Sequence, residues 1–498
     1  MDRPHTSQGF GHVVYQIIYN IFLSPLRRFP GPLLYTATSI PYDIANARGD
    51  AVTVLARLHD KYGPVVRVRP TELSYIDGHV WKDVYGFRSG KEEWFKGDVI
   101  HYLNGVPGII SAPKDAHRRY RRSLAHAFSS QGLQEQSPRI GTHVDRLVEG
   151  LGQHSEAGPI DMVPWLSWVT TDIIGDLAFG ESFGCLENQK ENAWSALTSK
   201  ILRPALVIGI ATRWHMTLLA PLLYPRDLFK GLMSTGEELR EKLRKRLSRG
   251  DFFDRMLKHG LIVEDKAAFK ETKDGQEGVT FEELESNAQD MVFAGSETTA
   301  TLLTSTIHFL IRNPAVLAKV TQLVRATYGR DEDMTIASTA PAALPSRSGS
   351  MTRCPSSRRA WHRGVGDTVD GVFVPEGTRV FCAKYVAHRS ALNFARPHDF
   401  VPERWLQGKP AEFADDNRHG VFQPFSFGPR NCIGMNLAKA EMHLILAKLL
   451  WHFDFEHPED GDDWDSWSIG QKVLFLWIKP PMKVSIRKRK NLEAENAA

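Results

Sequence analysis

Cys432 stands where a thiol can become a metal ligand. The segment Phe425-Ser426-Phe427-Gly428-Pro429-Arg430-Asn431-Cys432-Ile433-Gly434 is a glycine- and proline-rich loop that runs straight into a helical pattern. A cysteine just before a helix N-terminus meets unpaired backbone N–H groups and the positive end of the helix dipole. Both favour thiolate, the form that ligates metal. Gly428 and Gly434 remove side chains where another body must approach the backbone. Arg430 offers a fixed donor fork for a carboxylate. A lone cysteine in a tight turn is more often buried and inert, so the weight rests on the whole pattern, Phe-x-x-Gly-x-Arg-x-Cys-x-Gly.

A second group of residues pairs an acid with two hydroxyls. Ala294-Gly295-Ser296-Glu297-Thr298-Thr299 falls in the middle of a long helical pattern. Gly295 costs a helix about 1 kcal/mol relative to alanine, and the threonine hydroxyls can bond to the preceding turn. This combination predicts a loosened helix with a groove beside an acid that can carry protons. The competing reading is close helix–helix packing through small residues.

The elements that must position these residues are legible in outline. Thr280 and Glu283 have capping-box spacing. Leu284, Ala288, Met291, Gly295, Thr298 and Leu302 then recur at helical intervals until Asn313-Pro314, where proline disfavours helix in the residue before it. About 34 residues at roughly 1.5 Å each predict a rod near 50 Å, long enough to cross a domain. A second helix is expected from Pro314 to about Gly329. After Gly434, Leu437, Ala440, Leu444, Ala447 and Trp451 predict a helix with one buried face. Val65–Val68 and Glu72–Ile76 read as strands about Pro70, Thr170–Phe179 as a helix ended by Gly180, and Val369–Val386 as strand material with turns at Asp370-Gly371 and Pro375-Glu376-Gly377.

Composition narrows the class. The chain has 498 residues, four cysteines and a formal net charge of +4, too weakly basic to argue for nucleic acid. Cys185, Cys354, Cys382 and Cys432 form no CxxC pair, so neither a zinc site nor a disulfide scaffold is expected. Arg118, Arg119, Arg121 and Arg122 form a basic cluster, as do Arg487–Lys490. The apolar run Val13–Leu26 is short for a spanning helix, and both a membrane-embedded segment and an amphipathic tail stay open.

The cysteine loop resembles the haem-binding signature of the cytochrome P-450 family, with every fixed position matched. The resemblance implies a mainly α fold with small β-sheets and a long central helix over the haem. It implies that Cys432 is the axial thiolate on the iron of haem b, pushing electron density that favours O–O cleavage. Phe425, Gly428 and Gly434 would lie beside the cofactor, and Arg430 would pair with a propionate. Ala294 and Gly295 would admit dioxygen, Thr298 would hydrogen-bond it, and Glu297 would feed protons through water. His117-x-x-x-Arg121 is similar to a family helix whose side chains reach the propionates. Phe400–Trp405 resembles the family's Pro-Glu-Arg segment. Phe29-Pro30-Gly31-Pro32 resembles the hinge after a membrane anchor. Residues 1–32 are therefore read as anchor-like segment and hinge, and 33–498 as the catalytic domain. Leu476–Pro481 is similar to fungal secondary-metabolism members such as trichothecene-type hydroxylases.

The resemblance further implies NADPH- and dioxygen-dependent monooxygenation of a hydrophobic small molecule, a terpenoid or polyketide, by hydroxylation or epoxidation. Electrons would come from NADPH through the flavins of a cytochrome reductase. The expected setting is the cytosolic face of the endoplasmic reticulum membrane, as a monomer without nucleic acid. The arginines near His117, with Lys439 and Lys448, are expected to face an acidic partner.

The chain departs from the family in two places, the first being the short anchor segment. The Glu-x-x-Arg helix is missing between the long helix and the Pro-Glu-Arg segment. Glu237-x-x-Arg240 and Glu241-x-x-Arg244 lie before the long helix and are ordinary surface pairs. Residues 337–366 read as aberrant and disordered, with no acid from Met334 to Gly366. Arg404, deprived of its family partners, is expected to reach solvent or stay buried with incomplete partners, with weak haem binding and an easily unfolded chain as the consequence. This keeps open an alternative function, a non-catalytic haem- or ligand-binding relative.

Overall fold

The computed structural model describes residues 5–88, 93–96, 104–192, 279–339, 366–417, 420–458 and 470–489, together with scattered positions between 196 and 262, Arg358–Arg359 and Trp467. The main helices are α1 (His5–Ile18), α2 (Ile40–Arg48), α3 (Ala51–Tyr62), α4 (Lys114–Leu124), α5 (Ser130–His154), α6 (Met162–Phe179), α7 (Phe281–Arg312), α8 (Pro314–Thr327) and α9 (Met435–His452). Local chemistry sets their ends. The Thr280 hydroxyl accepts from the Glu283 N–H and the Glu283 carboxylate accepts from the Thr280 N–H, so both halves of the capping box are made. Asp161 caps α6 by accepting from the Val163 N–H, and Gly180 ends it with φ 70°.

Helices account for far more of the described residues than strands do, and the sheets are small. Antiparallel β1 (Val65–Arg69) and β2 (Glu72–Tyr75) begin a five-stranded sheet. β2 pairs in parallel with Arg379–Cys382, which pairs with Arg358–Arg359, and Phe95–Lys96 closes the edge. Near the C-terminus, Lys472–Leu474 and Leu476–Ile478 form a two-stranded hairpin, and Lys483–Lys488 runs between Phe453–Glu456 and Ile160–Asp161.

The core has two main bodies. One is helical and joins α5, α6, α7 and α9 through Leu147, Ile173, Leu303 and Ile445. The other lies around the five-stranded sheet, on Val66, Leu73, Trp81 and Val380. Helix α7 is unbroken over 32 residues. The helix runs through the stretch expected to loosen it, with Ser296, Thr298, Thr304 and Ser305 each donating back to the carbonyl four residues earlier.

The strand material expected over Val369–Val386 is present as Asp367–Val369, Val372–Val374 and Arg379–Cys382, separated by the expected turns at Asp370-Gly371 and Glu376-Gly377, and Lys384–Ala387 departs from it as a helical turn. Phe29–Pro32 is packed against β1. Leu26 and Phe29 are buried, Pro30 accepts from the Arg67 N–H at 2.7 Å, and a side chain on Gly31 would strike the Arg67 carbonyl. The expectation of disorder over 337–366 falls mostly outside the described residues. The helical turn Ile336–Thr339 runs into that stretch, and Arg358–Arg359 within it is a sheet strand.

Candidate active site

The cysteine loop is held from beneath by its own backbone. Ser426 and Gly428 both take left-handed backbone angles, φ 65° and 74°. A Cβ on Gly428 would strike the Tyr85 carbonyl, so only glycine fits there. A 3-10 turn at Gly428–Arg430 follows, and the Cys432 N–H donates to the Phe425 carbonyl at 2.8 Å. These constraints present Cys432 exposed at the start of α9. The buried thiols differ: burial pushes Cys185 and Cys382 up to about 12, which keeps them neutral.

Helix α4 braces the loop. Arg121 donates to the Asn431 carbonyl at 2.7 Å and to its side-chain oxygen at 2.5 Å. Burial lowers the Arg121 pKa, and charge on Cys432 acts against that shift, so guanidinium and sulfur feel one another. A cation in that position favours thiolate. His117 is buried on the same helix. Arg430 does not present an open fork. Its Nε donates to Glu93 at 2.6 Å and its Nη1 to the Ala112 carbonyl at 2.8 Å.

On α7, Ala294 is exposed although most of the helix is buried, and Thr298 lies one turn further along the same face. The Thr298 hydroxyl donates to the Ala294 carbonyl at 2.5 Å, which leaves its oxygen free to accept. Gly295 meets the competing reading of close helix packing. A Cβ there would come within 2.7 Å of Ile174, so Gly295 lets α6 pack closely against α7. Glu297 is also differently placed. Its Oε2 accepts from Lys479 Nζ at 2.7 Å and its Oε1 from the Ser167 hydroxyl at 3.2 Å.

The fit to a flat haem rests on three observations. Cys432 is exposed. A Cβ on Gly434 would meet only Phe128 at 3.8 Å and the Cys432 sulfur at 3.9 Å, so the face beside the sulfur has room. Ala294 opens the middle of an otherwise covered helix. The proximal and distal helices also touch. Glu441, on α9 nine residues after Cys432, hydrogen-bonds Thr299, the residue after Thr298, and burial pushes its carboxyl up to about 8.

Arg404 is neither solvated nor short of partners. It donates to Asp416 Oδ2 at 2.6 Å and to the carbonyls of Ala395 and Arg396 at 2.8 and 3.0 Å, and it lies over the Phe413 ring at 4.8 Å. The other Asp416 oxygen accepts from the Ala395 N–H at 2.7 Å. The expected deficit fails because an acid from the loop before the cysteine supplies the missing counter-charge. The expected basic docking face also shrinks. Arg119 is bound to Glu283 through both terminal nitrogens, and Lys448 is buried between Asp145 and Asp331. Arg118, Arg122 and Lys439 remain exposed.

Sequence reasoning assigns no role to Asp416, Glu93, Glu441 or Lys479. Glu441 does carry a signal, since it sits four residues after Leu437 and three before Leu444, on the apolar stripe of α9. Lys479 is a lone charge among Trp477, Ile478, Pro480 and Pro481, which is the mark of a buried cation that needs a partner. Asp416 and Glu93 carry no such signal.

The cytochrome P-450 family profile matches residues 32–341 and 361–486. The gap between the two blocks falls on the stretch that departs from the family in sequence. An averantin hydroxylase of Dothistroma septosporum is 39% identical over 486 residues, covering 95% of this chain and 89% of that protein. An averantin hydroxylase of Aspergillus parasiticus is 38% identical over 485 residues, covering 95% and 94%. A trichothecene C-15 hydroxylase of Fusarium sporotrichioides is 37% identical over 497 residues, covering 96% of each. With a profile that spans most of the chain and relatives aligned from end to end, the protein belongs to the cytochrome P-450 family of haem-thiolate monooxygenases.

Proposed function

We propose that this monooxygenase hydroxylates a hydrophobic terpenoid or polyketide in fungal secondary metabolism, with Cys432 as iron ligand and Thr298 and Glu297 on the proton path. The observation that carries the reading is the exposed Cys432 at the mouth of α9, with Arg121 beside it, in a chain whose relatives are named as hydroxylases. The family's cofactor is a haem whose iron takes an axial thiolate, with electrons drawn from NADPH through a reductase. The overall balance joins substrate, dioxygen, NADPH and a proton to give alcohol, water and NADP+.

When bound, the haem supplies the oxidising chemistry. The chain's own residues hold and protect it. Cys432 would bind the iron, Phe425 and Gly434 would lie alongside, and His117, Arg121 and Arg430 would face the propionates. Thr298, its proton committed to the Ala294 carbonyl, would accept a hydrogen bond on the open face. Glu297 takes up a proton and passes it toward Thr298 through water. The paired Arg404 supports the enzyme over a non-catalytic relative, since it removes the structural defect on which the latter rested.

No helix among the described residues is long and apolar enough to cross a membrane. Val13, Tyr15, Phe22, Leu23, Leu33 and Leu34 nevertheless leave apolar side chains exposed along one N-terminal stretch. That pattern supports shallow seating on the cytosolic face of the endoplasmic reticulum. Exposed Arg118, Arg122 and Lys439 would then meet the acidic surface of the reductase, with salt-sensitive association.

The deciding experiment is the spectrum of the reduced protein with carbon monoxide. A red-shifted Soret band that Cys432→His abolishes is expected, followed by NADPH-dependent hydroxylation with a reductase and averantin as the first probe substrate. Retention of the band in Cys432→Ala overturns the ligand assignment. Haem binding without NADPH use across a broad panel of apolar compounds overturns the enzyme reading.

A further inference from the structure

Arg389 lines a cavity that supplies it with no acid. The cavity lies between Phe309 of α7, the residues that follow the helical turn Lys384–Ala387, and the segment from Phe394 to Trp405, and it encloses about 60 Å³. That is several times the roughly 10–15 Å³ that one water needs. Phe309 and Phe400 stack with centroids 5.5 Å apart at 7° and form one wall. Trp405 and Phe422, 4.5 Å apart, form another.

The charges around this space do not balance. Arg404 is matched by Asp416. Asp399, exposed at the rim, is bound to Arg396 at 2.7 Å. His388 rests Nε2 on the Val421 carbonyl at 3.3 Å, and burial pushes it down to about 3, which keeps it neutral. That leaves Arg389. Its side chain is half-buried and makes no hydrogen bond or ion pair among the described residues. Its guanidinium carbon lies 3.9 Å from the centre of the Tyr385 ring, which gives it a cation–π contact and no counter-charge. Loss of water around the group lowers its pKa. The sequence from Met334 to Gly366 contains no acid, so the stretch leading into this region supplies none either. A charge drawn out of water without a partner is unfavourable, and an anion in the cavity relieves it.

We propose that this cavity is a binding site for a small carboxylate anion, received by the Arg389 guanidinium, with the aromatic walls around the anion's apolar end. A guanidinium fork meets a carboxylate at two points. One unmatched positive charge calls for one negative charge, which a carboxylate supplies and inorganic phosphate overshoots. The site lies apart from the open face of α7, and its occupant is not the substrate. It connects to the cysteine loop through backbone. The Val421 carbonyl that holds His388 also accepts from Trp81 Nε1 at 3.1 Å, and Lys384 donates to the Pro424 carbonyl at 3.4 Å, just before Phe425. An occupied cavity therefore braces the approach to Cys432.

The test uses the full-length holoenzyme and sodium acetate, with ionic strength held constant by sodium chloride. Saturation-transfer NMR from the protein to the acetate methyl group reports binding without turnover. Saturable transfer is expected in the wild type, with loss of it in Arg389→Met. Haem transfer to a haem-free globin is expected to slow about tenfold at ten times the dissociation constant of acetate, the factor set by binding to the closed form alone. Arg389→Met is expected to show no such slowing. Should Arg389→Met fail to hold haem, Arg389→Lys replaces it: a point charge without the fork is expected to weaken acetate severalfold. Transfer that does not saturate in the wild type overturns the inference. So does undiminished transfer in Arg389→Met, or in Arg389→Lys where that replaces it. Equal slowing by chloride alone would be an ionic-strength effect and overturns it too. Tighter binding of inorganic phosphate overturns the carboxylate class, and saturable binding with unchanged haem transfer overturns the bracing of the loop. The binding measurement needs neither Thr298 nor Glu297, so failure of the proposed oxidation leaves it standing.

Discussion

Arg404 with Asp416 and Lys479 with Glu297 are both buried ion pairs near the site, but they are closed to different degrees. In the first, both side chains are sealed, at 7% and 4% exposure, and the guanidinium meets two carbonyls as well as the carboxylate. In the second, the base is sealed and the acid is 28% exposed. A sealed pair has no second arrangement that keeps both charges solvated or paired, so it can only clamp. A pair with one open edge can separate, because water takes over the role of the missing partner. The same combination of base and acid therefore makes a lock in one place and a movable contact in the other.

Breaking the clamp gives the largest expected effect. Asp416→Ala strands the Arg404 guanidinium in a closed site, which costs about 3–5 kcal/mol. That is a large part of the roughly 5–15 kcal/mol that holds a typical fold together. Chemical unfolding monitored through the thiolate spectrum is expected to show a fall of that size with early loss of haem. A wild-type unfolding curve for Asp416→Ala would show that other contacts seat the segment before the cysteine loop.

Glu441 sharpens the comparison, since it is a buried acid that meets Thr299 rather than a cation. It escapes the cost of a buried charge by holding its proton, with the carboxyl pushed by burial to about 8 from the usual 4.5. The folded state thus binds a proton that the unfolded state releases. The resulting stability is fully present below the unfolded value and is lost as pH rises through about 8. On the order of 3 kcal/mol between pH 5 and pH 8 is expected to disappear from the pH dependence in Glu441→Gln. Melting temperatures across that window measure it, and parallel curves for variant and wild type would contradict the assignment.

The smallest effect tests the asymmetry of the open pair. Glu297→Ala leaves Lys479 enclosed without its counter-charge and is expected to cost about 2–3 kcal/mol. Lys479→Met removes the enclosed charge and leaves an acid that reaches water, so less than about 1 kcal/mol is expected. Equal losses in the two variants, measured by urea unfolding, would mean that Glu297 is held as tightly as Asp416.

Much of this molecule is decided by short-range pattern. The capping box at Thr280, the helix end at Arg312, the stop at Gly180 and the placing of Cys432 just before α9 all arise from chemistry within a few residues, and the structure has them where the pattern puts them. The family match rests on the same local motifs. Tertiary structure alone decided which charge meets which. Glu93 reaches Arg430 across 337 positions, and Lys479 reaches Glu297 across 182. Asp416 stands only 12 residues from Arg404, yet loop geometry brings them together and no periodic pattern does. An ion pair depends on a separation of a few ångströms, which no spacing along a chain specifies unless both partners share one helix or strand. The same reason separates the expected Gly295 from the observed one. Whether a small residue opens a groove or admits a neighbouring helix depends on what lies opposite, and opposite Gly295 lies Ile174.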